Sequence, residues 1–254
     1  MSEIITLTIS AVALQVTGVA LATAATLLTA LVASRVSAQA RRVLENSTAG
    51  VPTTVDSIGP AALSATAPRL SSSQLSAQEA RLVTDLASVA TLAVGDTRRL
   101  QEVLQARPIE QWAGIVRQEH QHVFRQTLTD AVSRACRKLE FGTIQPAGDQ
   151  LVAEDRNGRA LAVQIGEDGK VRAEILGVAD GSCHAVLDRF LRVLADEGVR
   201  IAKVNDRRWT GGAPNTDAGR RWAAQKGAKP RATQAGNAID RRVKGARKPV
   251  RITR

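Results

Sequence analysis

The sequence predicts an α+β protein: an N-terminal apolar helix that is a candidate membrane span, a helical hairpin, a small antiparallel sheet covered by one helix, and a disordered basic tail. Three observations predict it. Residues 4–33 carry no charged side chain. Apolar residues recur at helical spacing between 76 and 140, then give way to short runs separated by Asn-Gly and Asp-Gly. Charge is split along the chain: from Ile201 to Arg254 there are 15 Lys or Arg against 3 acids, a net +12, while the first 200 residues hold 20 basic and 21 acidic groups. The body is neutral and the tail is the cation. These signals divide the chain into an apolar segment with a basic flank (1–46), a flexible linker (47–75), the helical hairpin (76–140), the α+β domain (141–205) and the tail (206–254).

The apolar run of 4–33 exceeds the ~20 residues a helix needs to cross a bilayer. Gln15 and the threonines at 17, 23, 26 and 29 dilute it, and its β-branched residues weaken helix propensity. Glu3 precedes the run, whereas Arg35, Arg41 and Arg42 follow it, so a span would place everything after Ala33 in the cytoplasm. The expected location is therefore the inner membrane, with a single span and the C-terminal part cytoplasmic. The alternative is a cytoplasmic protein in which the run packs as a buried or self-associating helix. From Ser47 to Ser73, Ser, Thr, Ala, Gly and Pro dominate without an apolar period, which reads as linker.

Ser76-Ala77-Gln78-Glu79 is a capping box that starts a helix. Leu82, Leu86, Val89, Ala93, Leu100 and Val103 continue it, with Gly95-Asp96 a candidate break, and Arg107-Pro108 ends it. A second amphipathic helix follows to about Glu140 on a seam of Ile109, Trp112, Val116, Val123, Phe124, Leu128, Ala131, Ala135 and Leu139. Two helices joined at one proline suggest an antiparallel hairpin, which needs a partner: the next domain, another protein or a second copy.

Strands are expected at Gln150 to Glu154, Ala160 to Ile165 and Val171 to Val178, because Asn157-Gly158 and Asp168-Gly169 supply the positive φ that two-residue hairpin turns require. A helix from about Gly181 to Glu197 is C-capped by Gly198, and Arg200 to Val204 reads as a last short strand. Gly177-Val-Ala-Asp-Gly-Ser-Cys-His184, between a strand hairpin and an amphipathic helix, resembles a family of short bacterial strand-strand-helix domains with a G-x-C helix start. The resemblance covers about residues 158–200. It implies a sheet-plus-helix fold and no known activity.

No catalytic constellation emerges. Cys183 lies at a predicted helix start, where the dipole favours a thiolate, but adjacent His184 points to another side of the helix. A small buried cysteine is the simpler role. His120 and His122 are spaced two apart, which puts their rings about 200° apart on a helix and argues against a shared metal; His120 falls on the seam and His122 off it. Gly211-Gly212 and Gly158 lack the rest of a phosphate-loop pattern. No cofactor, metal or small-molecule substrate is predicted. Cys136 and Cys183, the two cysteines, make no disulfide framework and fit a reducing compartment.

The tail offers basic clusters at Arg207-Arg208, Arg220-Arg221, Arg241-Arg242-Lys244 and Arg247-Lys248, with too little apolar surface to offset the entropy of ordering. Such clusters bind nucleic acid by counterion release, or anionic lipid heads. There is no Tyr, and the aromatics are Trp112, Phe124, Phe141, Phe190, Trp209 and Trp222, so few side chains are available to stack on bases. The expected function is a non-enzymatic, membrane-tethered adaptor or scaffold whose polybasic tail binds anionic polymers or lipids. The alternatives are a soluble nucleic-acid-binding protein with an oligomerising N-terminal helix, and a cysteine-dependent enzyme of unknown reaction.

Overall fold

The computed structural model describes residues 3–8, 21–33, 35–55, 75–147, 149–166, 170–178, 183–199, 201, 203–209 and 214–226. The fold is α+β. In chain order the elements are β1 (Glu3–Thr8), β2 (Leu21–Thr23), α1 (Ala24–Val32), α2 (Ala38–Thr48), β3 (Thr54–Val55), α3 (Ala77–Val89), β4 (Ala93–Val94), α4 (Thr97–Gln105), α5 (Trp112–Lys138), β5 (Thr143–Ala147), β6 (Gln150–Glu154), β7 (Ala160–Ile165), β8 (Lys170–Leu176), α6 (Cys183–Asp196), β9 (Lys203–Trp209) and α7 (Asp217–Gln225). The strands form a six-stranded antiparallel sheet in the order β5-β6-β7-β8-β1-β9 and a three-stranded one in the order β3-β2-β4.

The first correction concerns the apolar N-terminal helix. Residues 3–8 are not helical but form β1, inserted between β8 and β9. Ile-Ile-Thr-Leu-Thr is β-branched at four of five positions, and such side chains suit a pleated strand better than a helix. The far end of the run is also divided: Leu21–Thr23 pairs with β3 and β4, and α1 is nine residues long. Ala24, Leu28 and Val32 on α1 are buried against α2 and α3. Among the described residues no helix is long and apolar enough to cross a membrane. An apolar count without a period cannot separate a spanning helix from a sheet strand joined to a core helix.

The predicted hairpin is three helices. Ser76 makes both halves of its capping box with Glu79, and α3 stops at Val89 because Ala93-Val94 leaves the helical path to pair with β2. Asp96 then accepts from Arg99 N (3.0 Å) and caps α4. The seam of α3, α4 and the first turns of α5 is filled from within the chain by α1 and α2, through Leu28, Leu44, Leu86, Leu92 and Trp112. Arg35 closes the α4–α5 junction: its guanidinium lies 5.6 Å from the Trp112 ring centroid and donates to the carbonyls of Gln105 (2.7 Å) and Arg107 (3.2 Å). Val103 is the exposed large apolar side chain among the described residues.

Helix α5 belongs to both cores. Its 27 residues extend for about 40 Å. Trp112, Ala113 and Val116 face the helical core, whereas Val123 to Cys136 face the large sheet. His120, buried between the two stretches, pairs through Nδ1 with Ala93 O at 3.0 Å. The helix ends in a Schellman turn, with Phe141 N donating to Cys136 O and Glu140 N to Arg137 O. Glu140 takes the left-handed position, φ 67°, that glycine usually fills.

Strands β6, β7 and β8 match the segments expected from the sequence, and α6 ends at Asp196, with Gly198 at φ 84° in the turn that follows it. Helices α5 and α6 cover one face of the sheet, placing Leu187, Phe190 and Leu194 over Leu161, Val163, Ala173 and Ile175. The sheet is wider than three strands and has a second cover: α7 lies on the opposite face over Ala160, Ala162 and Leu176. That explains why β7 is buried on both faces. At Gly177, φ is +75° and a Cβ would come within 2.6 Å of Gly158 O, so only glycine lets β8 leave the sheet beside the β6–β7 turn.

The disordered tail is also corrected at its start. β9 runs to Trp209 and pairs along β1, and α7 is an ordered helix. The expected linker at 47–75 is shortened at its start by α2, which continues to Thr48, and by β3; residues 56–74 lie outside the described residues.

Candidate anionic-polymer interface

The functional candidates from the sequence converge on the C-terminal part of the chain, and one buried carboxylate holds that part in place. Glu174, on β8, is fully buried on the sheet face that α7 covers. Its Oε1 accepts from Asn215 N at 2.9 Å, and its Oε2 accepts from Asn215 N (3.0 Å), Thr216 N (2.9 Å) and Thr216 Oγ1 (2.9 Å). Thr216 is the N-cap of α7, and its hydroxyl also accepts from Gly219 N at 3.0 Å. A buried carboxylate is tolerated only when its lone pairs are satisfied, and a helix N-terminus supplies the donors. Gly219 allows the approach, since a Cβ there would lie 2.8 Å from Glu174 Oε2.

Further polar contacts fix the rest of α7. Arg221 donates to Gln150 Oε1, Trp222 Nε1 donates to Glu154 Oε2 at 3.3 Å, and Lys226 Nζ lies 2.8 Å from Glu154 Oε1. The Lys226 hydrogen bond, aided by the indole N–H, holds Glu154 below the usual carboxylate range against the effect of burial. Arg220 pairs with Asp217 and donates to Asn215 O at 2.8 Å.

The predicted basic residues therefore fall into three places. Arg207 and Arg208 are on the edge strand β9, in register with Ile5 and Ile4. Arg220 and Arg221 are on α7, both exposed. Arg241, Arg242, Lys244, Arg247 and Lys248 lie outside the described residues. Lys170 and Arg172 on β8, which sequence reading passed over, are exposed; Arg172 is two residues from Glu174 and so shares its sheet face. The alternation of β8 was the signal that could have found Arg172.

The remaining candidates lie in the core or on the surface away from α7. Cys183 is buried at the start of α6 in the main core, and His184 is exposed. Cys136 is buried on α5, where burial pushes its thiol up to about 12. His122 is exposed. Among the described residues no group of three or more His, Cys, Asp or Glu could hold a metal ion. No family model matches the chain, and no curated protein matches it.

Proposed function

We propose that this protein is a non-enzymatic binding module that grips nucleic acid through its polybasic C-terminal segment, with α7 as the fixed root of that segment. The Glu174 staple is the observation that carries the reading. A folded body of nearly neutral charge commits a buried carboxylate, a capping threonine and a glycine to holding one basic helix at the point where the cationic segment begins. Residues 227–254 contain nine Lys or Arg and one acid, enough for a steep dependence of affinity on salt. Anionic lipid is the competing partner, because the same cations suit a charged membrane surface. The apolar residues of α1 face the protein's own core, which leaves less of the 4–33 run to support a tether.

Titrating salt against the affinity of the full chain for single-stranded and duplex DNA tests the proposal. Binding that falls about 10³-fold or more between 50 and 200 mM salt is expected, since six or more phosphate contacts give that slope. A chain ending at Lys226 keeps every described element and loses most of this affinity. Equal binding by the truncated chain, or binding only to vesicles containing anionic lipid, refutes it.

A further inference from the structure

Resting on the nucleic-acid reading above, we infer that the cleft between α7 and strands β5 and β6 receives a nucleobase of single-stranded nucleic acid, stacked on Trp222. The cleft is open to solvent and is lined by Gln145, Gln150, Val152, Arg221, Trp222 and Gln225. Trp222 is half-buried, whereas Trp112, Phe124, Phe141 and Phe190 are all within the core. It is the one aromatic available for stacking among the described side chains. Its N–H is fixed by Glu154, so the indole is already oriented before any ligand arrives.

The remaining lining suits a base on a phosphate chain. Three primary amides, at Gln145, Gln150 and Gln225, offer both donors and acceptors to a heterocycle edge. Arg221 uses one amino group on Gln150 and keeps further N–H donors for a phosphate. Glu154 is already engaged by Lys226 and Trp222, which offsets its repulsion of a polyanion. Gln225 is the last residue of α7, so the polybasic segment from 227 onward starts within two residues of the cleft. A strand gripped by that segment passes the cleft with bases unpaired, while a duplex keeps its bases stacked inside. The expected result is a preference for single strands over duplexes of equal length.

The test uses the full chain with fluorescent single-stranded DNA and RNA, duplex DNA, and heparin as a polyanion without bases. Trp222→Ala is expected to weaken single-strand binding about tenfold and Trp222→Phe to restore most of it, with heparin and duplex binding unchanged. Gln225→Ala, at an exposed position that α7 does not need for docking, is expected to weaken single-strand binding about threefold. Single-strand affinity unchanged in both Trp222→Ala and Gln225→Ala overturns the inference while leaving salt-sensitive nucleic-acid binding intact. Parallel loss of heparin binding in Trp222→Ala overturns it too, since that loss reports detachment of the helix. Absence of any nucleic-acid binding by the unmodified chain overturns both this inference and the reading beneath it.

Discussion

Replacing Glu174 tests how the C-terminal helix is held. The carboxylate accepts from three donors, Asn215 N, Thr216 N and Thr216 Oγ1, all at 2.9 to 3.0 Å. Hydrogen bonds to a charged group contribute about 1.5–3 kcal/mol each, and a buried N–H left unpaired costs about 1–3 kcal/mol. Summed naively, Glu174→Ala would exceed the stability of many domains. The true cost is capped, because α7 can leave the sheet and let Asn215 and Thr216 bond to water. What is then lost is the docking energy of α7, whose apolar contacts are few: Ala218 against Ala160, Ala162 and Leu176, with part of Trp222. We expect Glu174→Ala to cost about 2–4 kcal/mol and to lower Tm by roughly 5–10 °C. Glu174→Gln, which keeps one oxygen acceptor, loses about half of that. Hydrogen exchange read by mass spectrometry locates the effect: amides of 217–226 lose protection while those of β6, β7 and α5 keep theirs. Full protection of α7 in Glu174→Ala would refute the staple, and protection lost across the whole sheet would refute the cap on its cost.

Three further outcomes follow from the same structure. Glu140→Gly removes a non-glycine residue from the left-handed turn that ends α5, so it is expected to raise stability by about 1 kcal/mol and Tm by roughly 2–4 °C, measured by thermal melting. The Lys138 hydrogen bond, with Arg134 beside it, holds Glu197 below its ordinary carboxylate value. A lowered folded value gives stability that is present above the unfolded pKa of about 4.3 and is lost as pH falls through the folded one, so the Tm–pH curve of Glu197→Gln is flatter than that of the unmodified protein below about pH 4.5. Cys136, buried and with its thiol pushed up to about 12, should resist iodoacetamide at pH 8 until guanidinium is added, as peptide mapping would show; labelling in the native state refutes the packing described for α5.

Local chemistry was legible where it acts over a few residues. The Ser76–Glu79 box, the helix break at Gly95-Asp96 and the Gly198 stop each depend on groups within four residues, and each is found in place. The β6–β7 connection also falls at Asn157-Gly158, but only Gly158 takes a positive φ, and the Asp155–Arg159 pair closes a longer loop than the two-residue turn expected. The amphipathic seam of α5 identified most of its buried residues, including His120, but not Ala113, Val132 or Cys136. What could not be read from one segment alone was which partner it would find. β1 looks like part of a membrane helix until β8 and β9, about 170 and 200 residues away, are seen pairing on either side of it. Tail residues that carry little apolar surface are ordered because Glu174, 42 residues earlier, supplies a carboxylate to their helix cap.

The sequence by itself therefore determined the α+β class, the hairpin of β6, β7 and β8 with α6, and the separation of a neutral body from a cationic end, because periodicity, turn residues and charge are local quantities. Only the tertiary structure decided where the cation begins and what holds it. Those depend on a buried carboxylate meeting a helix N-terminus, and on strands that meet across most of the chain's length. The basic element that remains is shorter than its composition suggested, and its first helix is part of the folded body.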